Sequence, residues 1–468
     1  MSDPLQRNIR KTAHVFVLLL LMLLIYVSYI QIIQADFLAG HPLNRRNTEM
    51  AKRVARGQIM DHKGAKLSIS IADNGNGYHR KYPYGAAFAN ITGYDSIKYG
   101  RAGVENTYNY YLSGIGSPEY RFGPLSRLWQ PKAGNDLWLT LDAVIQDTAY
   151  RALGGYRGAV VVIAPKTGAI LAMVSKPSFD PNRVEDIWEE LNSQAGSPLL
   201  NRAMQGLYPP GSAIKTMVAE TALTNKIANL KTQFSCEGEM QIGKDYTLTE
   251  SNHQAHGKLD LKEALTVSCN ITFGKLALEL GRNRMAKMFE QYGFNKPLEA
   301  ELPEMASQIP DFAKLTDGDL AQTGIGQGPL LVTPLRMAML AASIANRGVM
   351  MKPFIVEKIT SPEGSLIKQF TPEVWLSPST AEISGSVADM MENVVDEGTG
   401  TAAYIKGARV AGKTGTAENP HGLPHAWFIG FAPADKPEVA IAVIVENAGS
   451  GGNVAAPIAR QVFLQALR

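Results

Sequence analysis

Residues 15–33, VFVLLLLMLLIYVSYIQII, run for nineteen positions without a charge, and this stretch limits the fold more than any other. A helix of that length spans about 28 Å, close to the thickness of a bilayer's hydrocarbon core. A buried globular helix would keep a polar stripe, and here every face is apolar. A signal peptide would carry a shorter apolar core and a small-residue cleavage site, which the following QADFLAG does not offer. Arg7, Arg10 and Lys11 precede the segment, so the positive-inside rule places that end in the cytoplasm. Residues 1–14 are therefore expected to be a cytoplasmic tail and 15–33 a single membrane-spanning helix, with the remainder outside the membrane.

A chain of 468 residues has room for two or three further units with sizeable cores. Lys and Arg number 46 against 43 Asp and Glu, and no basic tract follows the N-terminus, which argues against a nucleic-acid partner. Two cysteines, Cys236 and Cys269, are too few for a disulfide framework and leave one bridge or two free thiols open. Glycine and proline punctuate residues 113–136 too densely for a regular element, so the chain is expected to divide there. Short strand-like pieces precede that stretch, with Lys63-Gly64 at a hairpin turn. After it, LWLTLDAVIQDTAYRAL reads as a strand running into a helix capped by Asp142, and GAVVVIAPKTGAILAMVS as a hairpin. Residues 212–347 are mostly helical by period, with PLRMAMLAASIANRG ending on Gly348 as a C-cap. AWFIGFA and VAIAVIV return to strands before a closing helix. Strands at both ends with helices between predict an α+β (α/β) fold: a mainly antiparallel sheet with a helical lobe inserted in the chain.

YPPGSAIKTMVAE, residues 208–220, sets two prolines and a glycine against Ser212 at the start of a helix. Ser212 and Lys215 share one face of the first turn. A buried, neutral lysine can take a serine's proton, and a helix N-terminus favours developing negative charge. Ser-x-x-Lys arises by chance about once in such a chain, and Ser365-Leu366-Ile367-Lys368 is a second copy, in a predicted hairpin with Gly364 at its turn. On this motif alone, a capping role and a nucleophilic role for Ser212 stand even.

Two further elements shift that balance. Ser268-Cys269-Asn270 is the only Ser-x-Asn in the chain. Residues two apart do not share a helix face, so both reach a cleft only from a helix junction, for which TVSCNIT is suited. A plain turn satisfied by its own polar side chains is the competing account. Lys413-Thr414-Gly415-Thr416 reads as strand, with Thr414 and Thr416 on one face, Lys413 on the other, and Gly415 admitting a close backbone. Such a strand can pair with an extended peptide and hold its carboxylate with hydroxyls and the Lys413 ammonium, which supplies charge there. Lys166-Thr167-Gly168 is a decoy at the first hairpin's turn.

In the order Ser-x-x-Lys, Ser-x-Asn, Lys-Thr-Gly-Thr, the three resemble the penicillin-binding transpeptidases, and anchor and size suggest class B. NRAMQGLYPPGSAIK, LTVSCNITFGKLA, GIGQGPLLVTPLRMA, EGTGTAA and AGKTGTAENPHGLPHAWFIGFAP extend the likeness from residue 158 to 468. RVARGQIMDHKGAKL and GRAGVENTYNYYLSG resemble the family's pedestal more loosely. The resemblance implies a pedestal or dimerisation-like domain over 34–135 and a transpeptidase domain over 136–468. It implies that Ser212 attacks the carbonyl between the last two D-alanines of a peptidoglycan stem, with Lys215 as base. Ser268 relays a proton to the leaving D-alanine beside Lys413, and Asn270 binds substrate amide. The Ser212 and Thr416 amides form the oxyanion hole, with Thr414, Gly415 and Thr416 on the carboxylate side.

Partners implied are D-Ala-D-Ala stems, β-lactams, and a glycosyltransferase of the shape, elongation, division and sporulation family; no cofactor or metal is implied. A D,D-carboxypeptidase or β-lactamase-like hydrolase shares the acylation half, and a structural activator of a glycan polymerase is a third class. TGIGQG lacks dinucleotide-binding spacing. His253 and His256 read as surface histidines without metal-site spacing. Cys269, Trp427 and Phe428 read as packing residues.

Overall fold

The structure, a computed structural model, describes residues 4–34, 37–38, 54–73, 77–114, 133–244, 246–420 and 422–468. The division expected at 113–136 falls for the most part outside them, as do 35–36 and 39–53. Helix α1 (Pro4–Ile32) is long and apolar enough to cross a bilayer, and its apolar side chains are exposed. It begins within the expected tail, so Arg7, Arg10 and Lys11 ride on its first turns.

The main sheet has five strands, β5 (Gly158–Ile163), β6 (Ile170–Lys176), β9 (Ala411–Ala417), β10 (His425–Ala432) and β11 (Val439–Val445), all antiparallel in the order β9-β10-β11-β5-β6. The hairpin from one end of this region and the meander from the other thus meet in one sheet, with the helices between them. VAIAVIV is apolar throughout because the sheet is covered on both faces. Ala440, Ala442 and Ile444 belong to one core cluster, and Ile441, Val443 and Val445 to the other. Trp427 and Phe428 divide in the same way, and both are fully buried as expected.

Helix α2 (Ala143–Ala152) starts where expected, Asp142 accepting from the Val144 and Ile145 amides. It packs with the closing helix α9 (Ala455–Ala466) on one sheet face, and α7 (Pro334–Ala345) packs on the other. Helix α7 ends on Asn346 rather than Gly348, and Arg347 and Gly348 follow with positive φ. The lobe contributes α3 (Lys215–Thr224), α4 (Leu261–Thr266), α5 (Asn270–Gln291), α6 (Asp317–Gly324) and α8 (Ala381–Asp396).

A second sheet, in the order β8-β7-β4-β1-β2-β3, crosses the expected boundary at residue 135. Its β1 (Ile59–Met60), β2 (Lys66–Asp73) and β3 (Gly77–Lys81) come from before it. Strands β4 (Asp136–Leu139), β7 (Val356–Thr360) and β8 (Leu366–Gln369) come from after it. β1 and β2 are antiparallel about Gly64, as the Lys63-Gly64 turn predicts. Beside this sheet, buried Arg56 donates to the Glu105 carboxylate at 2.7 Å and to Asn109 Oδ1 at 2.7 Å. Arg80 binds the other Glu105 oxygen at 2.6 Å and Asp95 lies 3.8 Å from Arg56, so two carboxylates face two guanidiniums, although Arg80 Nη2 has no hydrogen-bond partner among the described residues.

Candidate active site

The nucleophile turn is clamped from three sides. Trp427 Nε1 donates to Pro209 O at 2.9 Å, and the Gly211 amide donates to Gly326 O at 2.9 Å. Gly211 has φ +53°, and a Cβ there would lie 2.9 Å from Thr416 O, so only glycine fits easily. Gly415 answers from the strand: a Cβ on it would come within 3.0 Å of Pro210 O and 3.3 Å of the Ala213 amide. Glycine therefore brings β9 against the turn, as the sequence predicted for that position. Ser212 lies inside a single 3-10 turn (Gly211–Ile214) leading into α3, half-buried, and caps neither. The capping account of Ser212 is removed.

Ser268 and Asn270 occupy the α4–α5 junction. Ser268 has φ +63°, a sparsely populated conformation for serine, and Asn270 opens α5. Lys215 is fully buried, and its Nζ donates to Ser268 O at 2.6 Å, Asn270 Oδ1 at 2.7 Å and Ser268 Oγ at 3.4 Å. Lys413, also fully buried, donates to Ser268 Oγ at 2.8 Å and Thr414 O at 3.0 Å. Ser268 is thus shared by two lysines. Burial pushes Lys215 down to about 8 although Glu250 opposes the shift. Burial, then the neighbouring Lys215, pushes Lys413 well below its ordinary value. The expectation that Lys413 simply supplies charge meets a site that disfavours two ammonium groups.

Ser212, Ser268, Asn270, Thr414 and Thr416 line one cavity of about 780 Å³. β9 is the edge strand of its sheet, open towards that cavity. Asn270 is also engaged within the protein, its Nδ2 donating to Thr249 O at 3.0 Å. The decoys stay apart: Ser365 and Lys368 are exposed on the β7–β8 hairpin, and Lys166 is exposed at the β5–β6 turn.

Residues 158–464 match the family model described as the penicillin binding protein transpeptidase domain. The chain belongs to the penicillin-binding transpeptidases. Residues 56–122 of this transpeptidase match the penicillin binding protein A dimerisation domain. It is 34% identical to the peptidoglycan D,D-transpeptidase PbpA of Mycolicibacterium smegmatis, over 98% of this chain and 99% of that protein. The structure of penicillin-binding protein A from M. tuberculosis as a ceftriaxone acyl-enzyme covers 90% of this chain and 100% of its own, with TM-score 0.84 and 31% identity. The D,D-transpeptidase domain from Eggerthella lenta covers 89% of this chain and 98% of its own, with TM-score 0.82 and 35% identity. These likenesses bear out the class B family and the fold read from the sequence.

Three features of this transpeptidase's site were missed in the sequence. Glu250 accepts from Cys269 Sγ at 3.0 Å and the Ile271 amide at 2.8 Å. Burial alone would raise its carboxyl, but those bonds, the Asn270 amide and the Lys215 charge hold it below the ordinary value. Cys236 and Cys269 are both free and buried, which settles the question of a bridge. His256 is half-buried with Nδ1 3.4 Å from Cys236 Sγ, so it is no surface histidine. Cys236, Glu250, His256 and Cys269 each offer a ligand atom within 4.8 Å of the others, and these donor types suit tetrahedral zinc.

Thr399 is the third. Its Oγ1 lies 2.6 Å from Thr414 Oγ1 at the cavity wall. Thr399→Val keeps the shape and removes the hydroxyl that orients Thr414. A hydrogen bond of ordinary net worth predicts acylation by benzylpenicillin about threefold to tenfold slower, read by stopped-time mass spectrometry. An unchanged rate would show that Thr414 needs no such partner.

Proposed function

We propose that this chain is a membrane-anchored serine D,D-transpeptidase that cross-links peptidoglycan stem peptides and is acylated by β-lactams. The observation that carries the reading is Ser268 Oγ between the two buried lysines, in the cavity that Ser212 and the open edge of β9 share. Ser212 Oγ forms a bond to the penultimate D-alanine carbonyl while its proton passes to Lys215. The Ser212 and Thr416 amides take the oxyanion, and Thr414 and Thr416 take the terminal carboxylate. The C–N bond then breaks, and Ser268, supplied through the lysine pair, protonates the leaving D-alanine nitrogen. An amine from a second stem attacks the ester, forming the cross-link and returning the proton to Ser212.

A carboxylate arriving beside Lys413 favours the ammonium there. By repulsion across Ser268 it then drives the remaining proton off Lys215. Substrate binding itself thus sets the base in its neutral form.

The orientation follows from Arg7, Arg10 and Lys11 ahead of the apolar stretch, which leaves the catalytic domain outside the membrane. A glycosyltransferase of the shape, elongation, division and sporulation family is the proposed partner. Tyr26, Ser28, Tyr29 and Gln31 of α1 offer it polar contacts within the membrane. The part of 44–70 that follows residue 53 offers contacts outside it.

Aminolysis separates this reading from a hydrolase. With a D-Ala-D-Ala stem donor and a second stem as acceptor, the purified protein should yield an amide-linked dimer that benzylpenicillin abolishes. Release of D-alanine with hydrolysed donor as the sole product would make it a carboxypeptidase.

A further inference from the structure

Helix α3 carries a buried ionisable side chain that the reaction above does not use. Every residue from Lys215 to Ala222 is buried, with Glu220 at 1% exposure. Ser384 Oγ donates to Glu220 Oε1 at 2.5 Å, and the Tyr292 hydroxyl donates to Oε2. Ser384 lies in the first turns of α8 and Tyr292 directly follows α5, and α3 packs against both helices. Among the described residues the carboxyl's partners are hydroxyls, and no cation pairs with it. Burial raises the Glu220 carboxyl above its ordinary range, against the pull of those two hydroxyls. A group so costly to bury stands where an apolar side chain would pack as well.

What Glu220 supplies is direction. Apolar packing is non-directional, so a helix buried on every side has no amphipathic stripe to fix its rotation about its own axis. The hydroxyls of α3 do not fix it either. Thr216 donates to Ala213 O, Thr221 to Met217 O and Thr224 to Glu220 O, all within the same stretch of chain. Apart from Lys215, Glu220 is the only side chain of α3 that hydrogen-bonds to another element among the described residues. Its two oxygens are held from two different directions, which fixes one angle of the helix. Lys215 stands five residues earlier on the same helix. Side-chain tips lie about 5–6 Å from a helix axis, so a rotation of about 10° carries them about 1 Å. Such a shift opens the 2.6 Å and 2.7 Å bonds of Lys215 to Ser268 O and Asn270 Oδ1.

We propose that Glu220 sets the rotation of α3 about its axis, through its paired hydrogen bonds to Tyr292 and Ser384, and is thereby the positioning residue for Lys215. The proposal rests on the transpeptidase reading and adds to it a residue that touches neither substrate nor reacting atoms.

Acylation of the full chain by benzylpenicillin, followed over a range of concentrations, separates noncovalent binding from the limiting rate of acyl transfer. Replacing the whole group, Glu220→Leu with Tyr292→Phe and Ser384→Ala, leaves no member of the network unpaired, so the melting temperature should stay within a few degrees of the parent's. A merely structural Glu220 would then leave the chemistry intact. Instead the limiting rate should fall about tenfold to a hundredfold, as a misplacement of about 1 Å does, with the benzylpenicillin dissociation constant within about twofold of the parent's. Glu220→Gln keeps an acceptor for one hydroxyl and a donor for the other, and should stay within about threefold of the parent in both. A folded triple variant acylating within about threefold of the parent would overturn the proposal. So would Glu220→Gln acylating as slowly as the triple variant, which would assign the effect to charge. If the triple variant does not fold, Tyr292→Phe and Ser384→Ala decide: each should lower the limiting rate about twofold to fivefold, and parent rates in both would overturn the proposal. Failure of benzylpenicillin to acylate the parent would overturn the transpeptidase reading, and this proposal with it.

Discussion

Ser212→Ala leaves a folded protein that forms no adduct with benzylpenicillin. Ser212 caps no helix and is half-buried, so deleting one hydroxyl there touches no named source of large destabilisation. The melting temperature should move by no more than a few degrees. The chemistry is different in kind, because the acyl bond is proposed to form on Ser212 Oγ. Loss of a serine nucleophile lowers rates by about a millionfold in a well-studied protease, and a drop beyond measurement is expected here. Ser268 lines the same cavity and is the alternative hydroxyl, whereas Cys269 beside it is fully buried, and burial together with Glu250 pushes its thiol up, away from the reactive thiolate. In the parent, mass spectrometry should find one ligand mass on the tryptic peptide containing Ser212. An adduct that survives Ser212→Ala would assign the nucleophile elsewhere. The same variant separates the two halves of the proposed function. With a partner polymerase in reconstituted membranes it should make no cross-links yet still raise polymerisation of lipid-linked disaccharide. Replacing residues 1–33 by an unrelated anchor should do the reverse, weakening stimulation and sparing acylation of Ser212.

The parts of this site that were legible in the sequence are those whose geometry is local. Ser212 and Lys215 are one helical turn apart, and Pro209, Pro210 and Gly211 announce a held turn whatever surrounds them. Ser268 and Asn270, two apart, imply a junction, and the α4–α5 break supplies it. Lys413 to Thr416 alternate as a strand should, and both decoys sit on hairpins whose turns their glycines mark. The two-sided burial of VAIAVIV was not legible, since a continuous apolar run does not say that both faces are covered. Glu250, His256 and Cys236 come from separate segments that only the folded lobe brings to Cys269. Thr399 lies in EGTGTAA, a segment that carried the family likeness, but its contact with Thr414, fifteen residues away, depends on the fold. The β7–β8 hairpin was predicted, but its place in the sheet with β1–β4 depends on a pairing with β4 that no local signal carries. The charge state of Lys413 was hidden for a related reason. A sequence shows that a lysine is present, and burial decides whether it stays protonated.

The lysine pair therefore gives the prediction that depends most on structure. Lys215 is held down to about 8, so at pH 7 about a tenth of it is neutral, against about three in ten thousand for an unperturbed lysine near 10.5. The neutral form is the base, and neutral lysine grows as pH rises. Acylation by benzylpenicillin should therefore climb through about pH 8 and level above it. Lys215→Arg retains charge but cannot accept a proton, and should lose about a hundredfold to ten-thousandfold in rate together with the limb near pH 8. Lys215→Met tests whether that loss is chemical or steric, because it keeps an unbranched side chain in the fully buried site without the ammonium. It leaves Asn270 Oδ1 and Ser268 O without their donor, a destabilisation of about 1–3 kcal/mol that a melting curve will register while the protein remains folded. Lys413→Arg has to fit a larger and permanently charged group against Ser268 and Thr414 with no exposure at all. Its acylation should fall well below the parent's, and unlike Lys215→Arg its residual activity should still rise through the limb set by Lys215. A parent profile flat from about pH 6 to about pH 9, or Lys215→Met acylating within tenfold of the parent, would take the base role away from Lys215. Loss of the limb in Lys413→Arg and its survival in Lys215→Arg would exchange the roles of the two lysines.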